Sequence, residues 1–182
     1  MKVLVACEYS GTVRDAFAAK GHDAWSCDVI PSDKPGNHYQ CDIKKVLSNQ
    51  WDLLIAFPPC TQLCSSGARW WKQKQQEQAD AIQFVKNLWN FPINKIAIEK
   101  PIGILSTVWQ HPTQIVQPYW FGDPYPKSTC LWLKNLPPLV PTNTVQPTDQ
   151  RIWRCPPGPN RWKIRSLTPR GLAEAMATQW ST

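Results

Sequence analysis

One stretch constrains the fold more than any other. Trp51-Asp52-Leu53-Leu54-Ile55-Ala56-Phe57 is an almost unbroken apolar run that stops at Pro58-Pro59-Cys60. A short run with no polar face reads as a strand buried on both sides, which is the habit of parallel sheets covered by helices. Proline lacks an N–H, so the two prolines force the chain out of the sheet at that point. Three more short apolar runs, Lys2–Cys7, Asp23–Cys27 and Lys95–Glu99, share this character. Helical segments fall between them. Thr12–Lys20 carries Val13, Ala16, Phe17 and Ala19 as apolar residues, with Thr12 or Ser10 as cap and Gly21 as stop. Asp42–Leu47 reads as a short helix. Lys72–Trp89 reads as the longest, with Ala79, Ile82, Val85 and Trp89 on one face. Pro31–His38 reads as a loop. The alternation predicts an α/β chain with a mostly parallel, doubly wound sheet and helices on both faces.

The second half is less periodic. Gln114–Trp120 and Ser128–Leu133 read as strands that complete the sheet antiparallel. Leu136–Arg165 is Pro-rich and reads as an ordered loop or a partly mobile arm. Thr168-Pro169 opens a final helix to Trp180, with Thr168 as N-cap and Leu172, Ala173, Met176 and Ala177 facing inward. The 182 residues fit one domain, 1–182, with a basic arm at about 135–166. No apolar run reaches the ~18 residues of a membrane span. The first strand starts at once with no signal-peptide layout, and the seven cysteines are odd in number and scattered. Both features predict reduced thiols in a cytoplasm.

Charge is unevenly placed. The chain carries a net +7, and from Gln150 onward six basic residues (Arg151, Arg154, Arg161, Lys163, Arg165, Arg170) face one acid, Glu174. Trp153 and Trp162 are interleaved with them. Cations mixed with exposed aromatics suit a polyanion with stackable bases. A solvated basic face is the competing reading.

In open α/β sheets, ligands bind beyond the carboxyl ends of the strands. The expected carboxyl ends carry Cys7-Glu8-Tyr9-Ser10-Gly11, Asp28, Asp42, Pro58-Pro59-Cys60 and Glu99-Lys100-Pro101. An acid at the end of a second strand commonly binds ribose hydroxyls, which suits Asp28. The turn Glu8–Gly11 lets backbone approach a ligand at a helix start, but it is not GxGxxG, so a hydride-transfer dinucleotide is not indicated. A turn role for Asp28 and a helix-entry role for Gly11 stand beside these readings. Cys60, on a rigid Pro-Pro turn, suits a nucleophile. Cys7, Cys27, Cys41 and Cys130 read as small core residues. Cys60 and Cys64 lack two further ligands at metal spacing, and His22, His38 and His111 are isolated, so no metal site is expected.

Pro58-Pro59-Cys60-Thr61-Gln62-Leu63-Cys64-Ser65-Ser66-Gly67 resembles the Pro-Cys nucleophile loop of DNA cytosine-5 methyltransferases. Glu99-Lys100-Pro101 resembles their Glu-Asn-Val motif, and the first strand with its turn through Gly11 resembles their S-adenosylmethionine (SAM) loop without its second glycine. Asp28 and Asp42 resemble the acids that contact cofactor ribose and adenine. Arg165-Ser166-Leu167-Thr168-Pro169-Arg170 resembles the last motif, which closes the cofactor pocket. The similarity covers most of the chain and is greatest to short, phage-encoded members, which would act in a bacterial host's cytoplasm. It implies a Rossmann-type SAM-dependent methyltransferase fold, with SAM held among Cys7, Glu8, Ser10, Gly11, Asp28, Asp42, Pro58 and Thr168. It also implies DNA, duplex or single-stranded, held by Ser65, Lys127, Thr129, Arg161 and Arg165.

The chemistry accounts for these residue types. Cytosine C5 is a poor nucleophile until a thiolate adds at C6, so the resemblance makes Cys60 the nucleophile and Glu99 the proton partner at N3. A base in a duplex must first be flipped out, and Trp70 and Trp71 would support a displaced base or act as rim aromatics. The sequence departs from the family in two places. Lys127–Lys134 has no arginine where the family carries one that holds the base, and Lys127 lacks the planar fork. Only Asn135–Ser166 is available in place of a target-recognition domain. A free deoxycytidine nucleotide as substrate and a non-catalytic DNA-binding protein on the same fold are the competing readings.

Overall fold

The computed structural model describes residues 1–181, apart from the Trp70 side chain. Its framework is a seven-stranded sheet in the order β3-β2-β1-β4-β5-β7-β6. The strands are β1 (Lys2–Ala6), β2 (Asp23–Asp28), β3 (His38–Gln40), β4 (Leu53–Ala56), β5 (Lys95–Pro101), β6 (Gln114–Val116) and β7 (Thr129–Lys134). β1 to β5 pair in parallel, and β7 runs antiparallel to both β5 and β6. The helices are α1 (Thr12–Ala18), α2 (Gln75–Trp89), α3 (Leu105–Val108), α4 (Arg161–Ser166) and α5 (Arg170–Gln179).

Successive side chains of a strand point to opposite faces, so each central strand builds two cores at once. Val3, Val5, Leu53, Ile55, Ala97 and Leu131 meet Val13 and Phe17 of α1 and Leu172, Ala173 and Met176 of α5. Leu4, Ala6, Leu54, Ala56, Ile96, Ile98 and Trp132 meet Val85 and Leu88 of α2, Leu105 of α3 and Ile43. Phe17 is fully buried, and its truncation to Ala would cost about 3–5 kcal/mol. Both faces are therefore covered, as the apolar strands require. No helix among the described residues is long and apolar enough to cross a membrane.

The elements differ from expectation in several places. His38–Gln40 is an edge strand pairing with Ser26–Asp28; three residues are too few to show a period. α2 starts at Gln75, and Ser65–Gln73 before it is a 3₁₀ helix. β6 ends at Val116, because Pro118 starts a 3₁₀ turn. Pro169 is extended, so it precedes α5 rather than opening it, and Thr168 does not cap it; Asp123 instead accepts from the Gly171 N–H at 2.9 Å. The early arm is laid along the β6 and α5 end. Gln114 makes two bonds to Leu139, Gln179 makes two to Val140, and the Trp180 indole donates to the Pro137 carbonyl at 3.0 Å.

Candidate functional site

The parallel strands deliver their carboxyl ends to one rim. There a cavity of about 350 Å³ opens, lined by Cys7, Cys27, Asp28, Val29, Cys41, Asp42, Ile43, Pro59, Ala81 and Phe84. Its walls are mostly apolar, with two carboxylates. Asp28 accepts from the Ile30 N–H at 3.2 Å and Asp42 from the Lys44 N–H at 2.9 Å, so each is oriented by local backbone. Cys7 leaves β1 in the left-handed region, φ 57°, which turns the chain sharply toward the cavity. Burial, with Asp28 second, pushes its thiol up to about 12. Cys27 and Cys41 face each other at 4.0 Å, and burial, then Cys41, pushes Cys27 up to about 12 as well. Cys7 and Cys27 therefore stay protonated at neutral pH and act as small apolar wall groups.

The turn after β1 serves the helix rather than lining the cavity. Gly11 sits at φ 69° as the residue before α1, and a Cβ there would lie 2.4 Å from the Arg14 guanidinium. Neither Ser10 nor Thr12 occupies the cap position. Glu8 supplies the acceptor, taking the Val13 N–H at 2.7 Å and the Ser10 hydroxyl at 3.2 Å. Burial pushes the Glu8 carboxyl up, and the Val13 and Arg14 N–H groups pull it back. Arg14, 1% exposed, fans out to Ser26, Ser32, the Pro35 carbonyl and Asp15, fixing the loop that follows β2.

β4 hands the chain to Pro58-Pro59-Cys60, and its neighbour β5 ends in Glu99-Lys100-Pro101. The two exits are laced together. Ser65 N–H donates to the Ile102 carbonyl at 3.1 Å, Ile104 N–H donates to Leu63 at 2.9 Å, and Cys64 bridges Gly103. The approach is so close that a Cβ on Gly103 would meet the Leu63 oxygen at 1.9 Å. Lys100, 2% exposed, donates to the Pro58 carbonyl from below. Cys60 is exposed, and Glu99 is half-buried. The Cys60 thiol is held above its ordinary value by its hydrogen bond to Cys64 and by desolvation, against the pull of Lys100. Trp70, expected beside this loop, lies outside the described side chains; the buried Trp71 indole N–H has no partner among the described residues.

The remaining expected residues distribute as follows. Thr129 opens β7 opposite Pro101, so β7 starts on the same rim as Glu99, but its buried hydroxyl is spent on the Lys127 carbonyl at 2.9 Å. Lys127 reaches the Leu167 carbonyl at 3.1 Å, and the Ser65 hydroxyl reaches Ile102 at 3.2 Å. Arg161 donates to the Cys155 carbonyl. Thr168 and Arg165 are half-buried next to α5 and on α4. α4 folds back over the first turn. The Tyr9 hydroxyl lies 3.0 Å from Ser166, its ring is 5.6 Å from Trp162, and Lys163 pairs with Asp33 at 3.5 Å. The reading of the sequence missed Val29, Ile43, Ala81 and Phe84 in the cavity, which look like any core residue. It also left Lys100 without a role, although a lysine next to a buried strand end was a visible signal.

Sheet order, the single reversed strand β7 and the rim cavity define a Rossmann-type methyltransferase fold. Among solved structures, the chain is similar to an E. coli protein provisionally described as a DNA modification methyltransferase encoded within a prophage. The TM-score is 0.51 at 14% identity, over 79% of this chain and 51% of that one. The chain thus spans about half the length of that structure. No protein-family model and no curated protein sequence matches the chain.

Proposed function

We propose that this chain methylates cytosine at C5 in DNA, with SAM as donor and a covalent adduct between Cys60 and C6. One observation carries the reading: the Cys60 loop leaves β4 next to the end of β5 that bears Glu99, beside a cavity with two oriented carboxylates. The cavity chemistry fits a nucleoside. Asp28 suits ribose hydroxyls, Asp42 suits an exocyclic amine, and Ile43, Phe84 and Val29 suit a flat base. Bound there, SAM supplies an electrophilic methyl group. Glu8, Ser10, Gly11, Pro58 and Thr168 would act mainly by shaping the surrounding backbone.

Cys60 adds to C6 and breaks the ring's aromaticity. Glu99 donates a proton to N3, which turns C5 into an enamine-like carbon. The prolines before Cys60 and the lacing to Ile102 and Ile104 hold that nucleophile without cost at the moment of reaction. Ser65, Lys127, Arg161 and Arg165 are proposed to flank the nucleic acid; Thr129, fully buried with its hydroxyl on the Lys127 carbonyl, serves the frame instead. Trp153 at 80% exposure and Trp162 at 52% offer faces for unstacked bases.

The test uses methyl-labelled SAM, unmodified DNA and Cys60→Ser, with the product digested to nucleosides. Label in 5-methylcytosine with the native chain and none with Cys60→Ser is the expected result. No label on DNA overturns the reading, and a repeat with deoxycytidine nucleotides then separates a smaller substrate from a protein that only binds.

A further inference from the structure

Among the described side chains, Trp153 and Trp162 are the two exposed tryptophans, at 80% and 52%. Both lie on the arm between β7 and α5, and Ile164 and Leu167 beside them are exposed as well. Large apolar groups left in water on one short segment mark a contact surface. The same segment is cationic. Arg151, Arg154, Arg161, Lys163 and Arg165 follow one another with no acid among them. Arg151 is spent on Asp149 and Lys163 on Asp33, whereas Arg154 and Arg165 form no salt bridge among the described residues. Exposed indoles beside unspent guanidinium groups fit a partner with flat faces and negative charge.

The arm is folded, and its folding carries this surface to the rim that bears Cys60. The Arg161 guanidinium donates to the Cys155 carbonyl, which ties the turn around Trp153 to the start of α4. The Tyr9 hydroxyl, just after β1, reaches Lys163 and Ser166 at 3.1 and 3.0 Å. Lys127, just before β7, reaches the Leu167 carbonyl at 3.1 Å. In the sheet order β1-β4-β5-β7, the strand ends that carry Cys60 and Glu99 fall between those two anchors.

We propose that the arm is a stacking platform for an unpaired DNA strand, so that the cytosine offered to Cys60 is single-stranded rather than flipped from a duplex. The proposal rests on the methylation reading for the choice of DNA and of cytosine. In a duplex the base faces are stacked on one another, and a protein meets phosphates and groove edges. Reading the major groove takes a helix or a two-stranded ribbon that can enter it. Between β7 and α5 the longest helix is α4, six residues, and it is pinned to Tyr9 and Asp33. The arm therefore has no free helix to send into a groove, whereas its two indoles are open to unstacked bases. Arg154 borders a recess of about 340 Å³ with Thr148, Asp149, Gln150 and Arg151, where Arg151 already holds the Asp149 charge. It is placed to take a phosphate next to the base on Trp153.

The test is fluorescence anisotropy at one fixed salt concentration with three labelled probes: oligothymidine of about 20 nucleotides, the same strand paired with its complement, and an abasic oligomer of equal length and charge. The native chain should bind the single strand at least about tenfold tighter than the duplex or the abasic oligomer. Trp153→Ala combined with Trp162→Ala should remove that margin and leave abasic binding unchanged, because contacts to bases and not to phosphates are lost. If the double variant does not fold by circular dichroism, Trp153→Ala alone should narrow the margin about fivefold. Arg154→Ala should weaken binding of all three probes alike. Duplex bound as tightly as the single strand, or a margin that survives loss of the tryptophans, overturns the proposal. Methyl transfer to duplex DNA by a chain with no preference for the single strand overturns it while upholding the functional reading. The expected strand binding without methyl transfer to any DNA does the reverse.

Discussion

Two cysteine pairs border the same rim of the sheet, and they differ in what surrounds them. Cys27 and Cys41, on the cavity wall, are 4.0 Å apart, and Cys27 is driven up to about 12 by burial and by its partner. Cys60 and Cys64 sit on one tight turn after β4, where the Cys64 N–H donates to the Cys60 carbonyl at 3.0 Å, and Cys64 is brought down to about 5. Each pair sets two thiols on one short piece of the rim. What differs is the company: the Cys27 thiol donates to the Cys41 carbonyl at 3.4 Å, whereas the Cys64 sulfur has the Ser66 hydroxyl at 3.1 Å and the field of a buried lysine. A thiol becomes a thiolate where donors and a cation converge on it, and remains a small apolar group where only burial acts.

The largest expected effect falls on the loop pair. Cys60→Ser should lower methyl transfer at least about 10³-fold while SAM affinity, read by calorimetry, stays within about threefold. Comparable losses in both would make Cys60 part of the frame rather than the chemistry.

The wall pair depends on Arg14, which holds Ser26 next to Cys27 and the loop carbonyl of Pro35. Arg14→Ala leaves those groups unpaired and should cost about 3 kcal/mol in chemical denaturation. It should also weaken SAM binding without altering the alkylation profile of Cys64. A change in that profile would join the two regions that the comparison separates.

Lys100→Met sharpens the contrast itself. Iodoacetamide labelling of the loop pair at pH 7 should slow about tenfold, while Cys27 remains unlabelled in both proteins. Thermal stability should hold within a few degrees, because an apolar side chain of similar volume relieves a buried charge as it forfeits the bond to Pro58. An unchanged labelling rate would remove the lysine from the account.

The smallest effect belongs to the arm. Trp153→Ala should weaken single-stranded DNA binding about fivefold, with the salt dependence unaltered, because stacking carries no counterions. A changed salt slope in fluorescence anisotropy would mean that Trp153 positions the neighbouring arginines instead.

The sequence by itself determined the framework. Four apolar runs, their spacing and the prolines that end them dictate buried parallel strands, since no other element hides such runs on both faces. The same logic put Cys7, Asp28, Pro58-Pro59-Cys60 and Glu99 at strand ends, and hence on one rim. Short elements such as His38–Gln40 escaped it because three residues carry no period, and Thr168 was given a cap that Asp123 supplies from 45 residues away. Only the tertiary structure decided the surroundings of each cysteine. The Cys60 loop meets a buried lysine because Lys100 reaches the Pro58 carbonyl from β5 and Gly103 lets the two exits touch. Hydrophobic pattern is local and written in the order of residues, whereas an electrostatic field is summed over whatever the fold brings near.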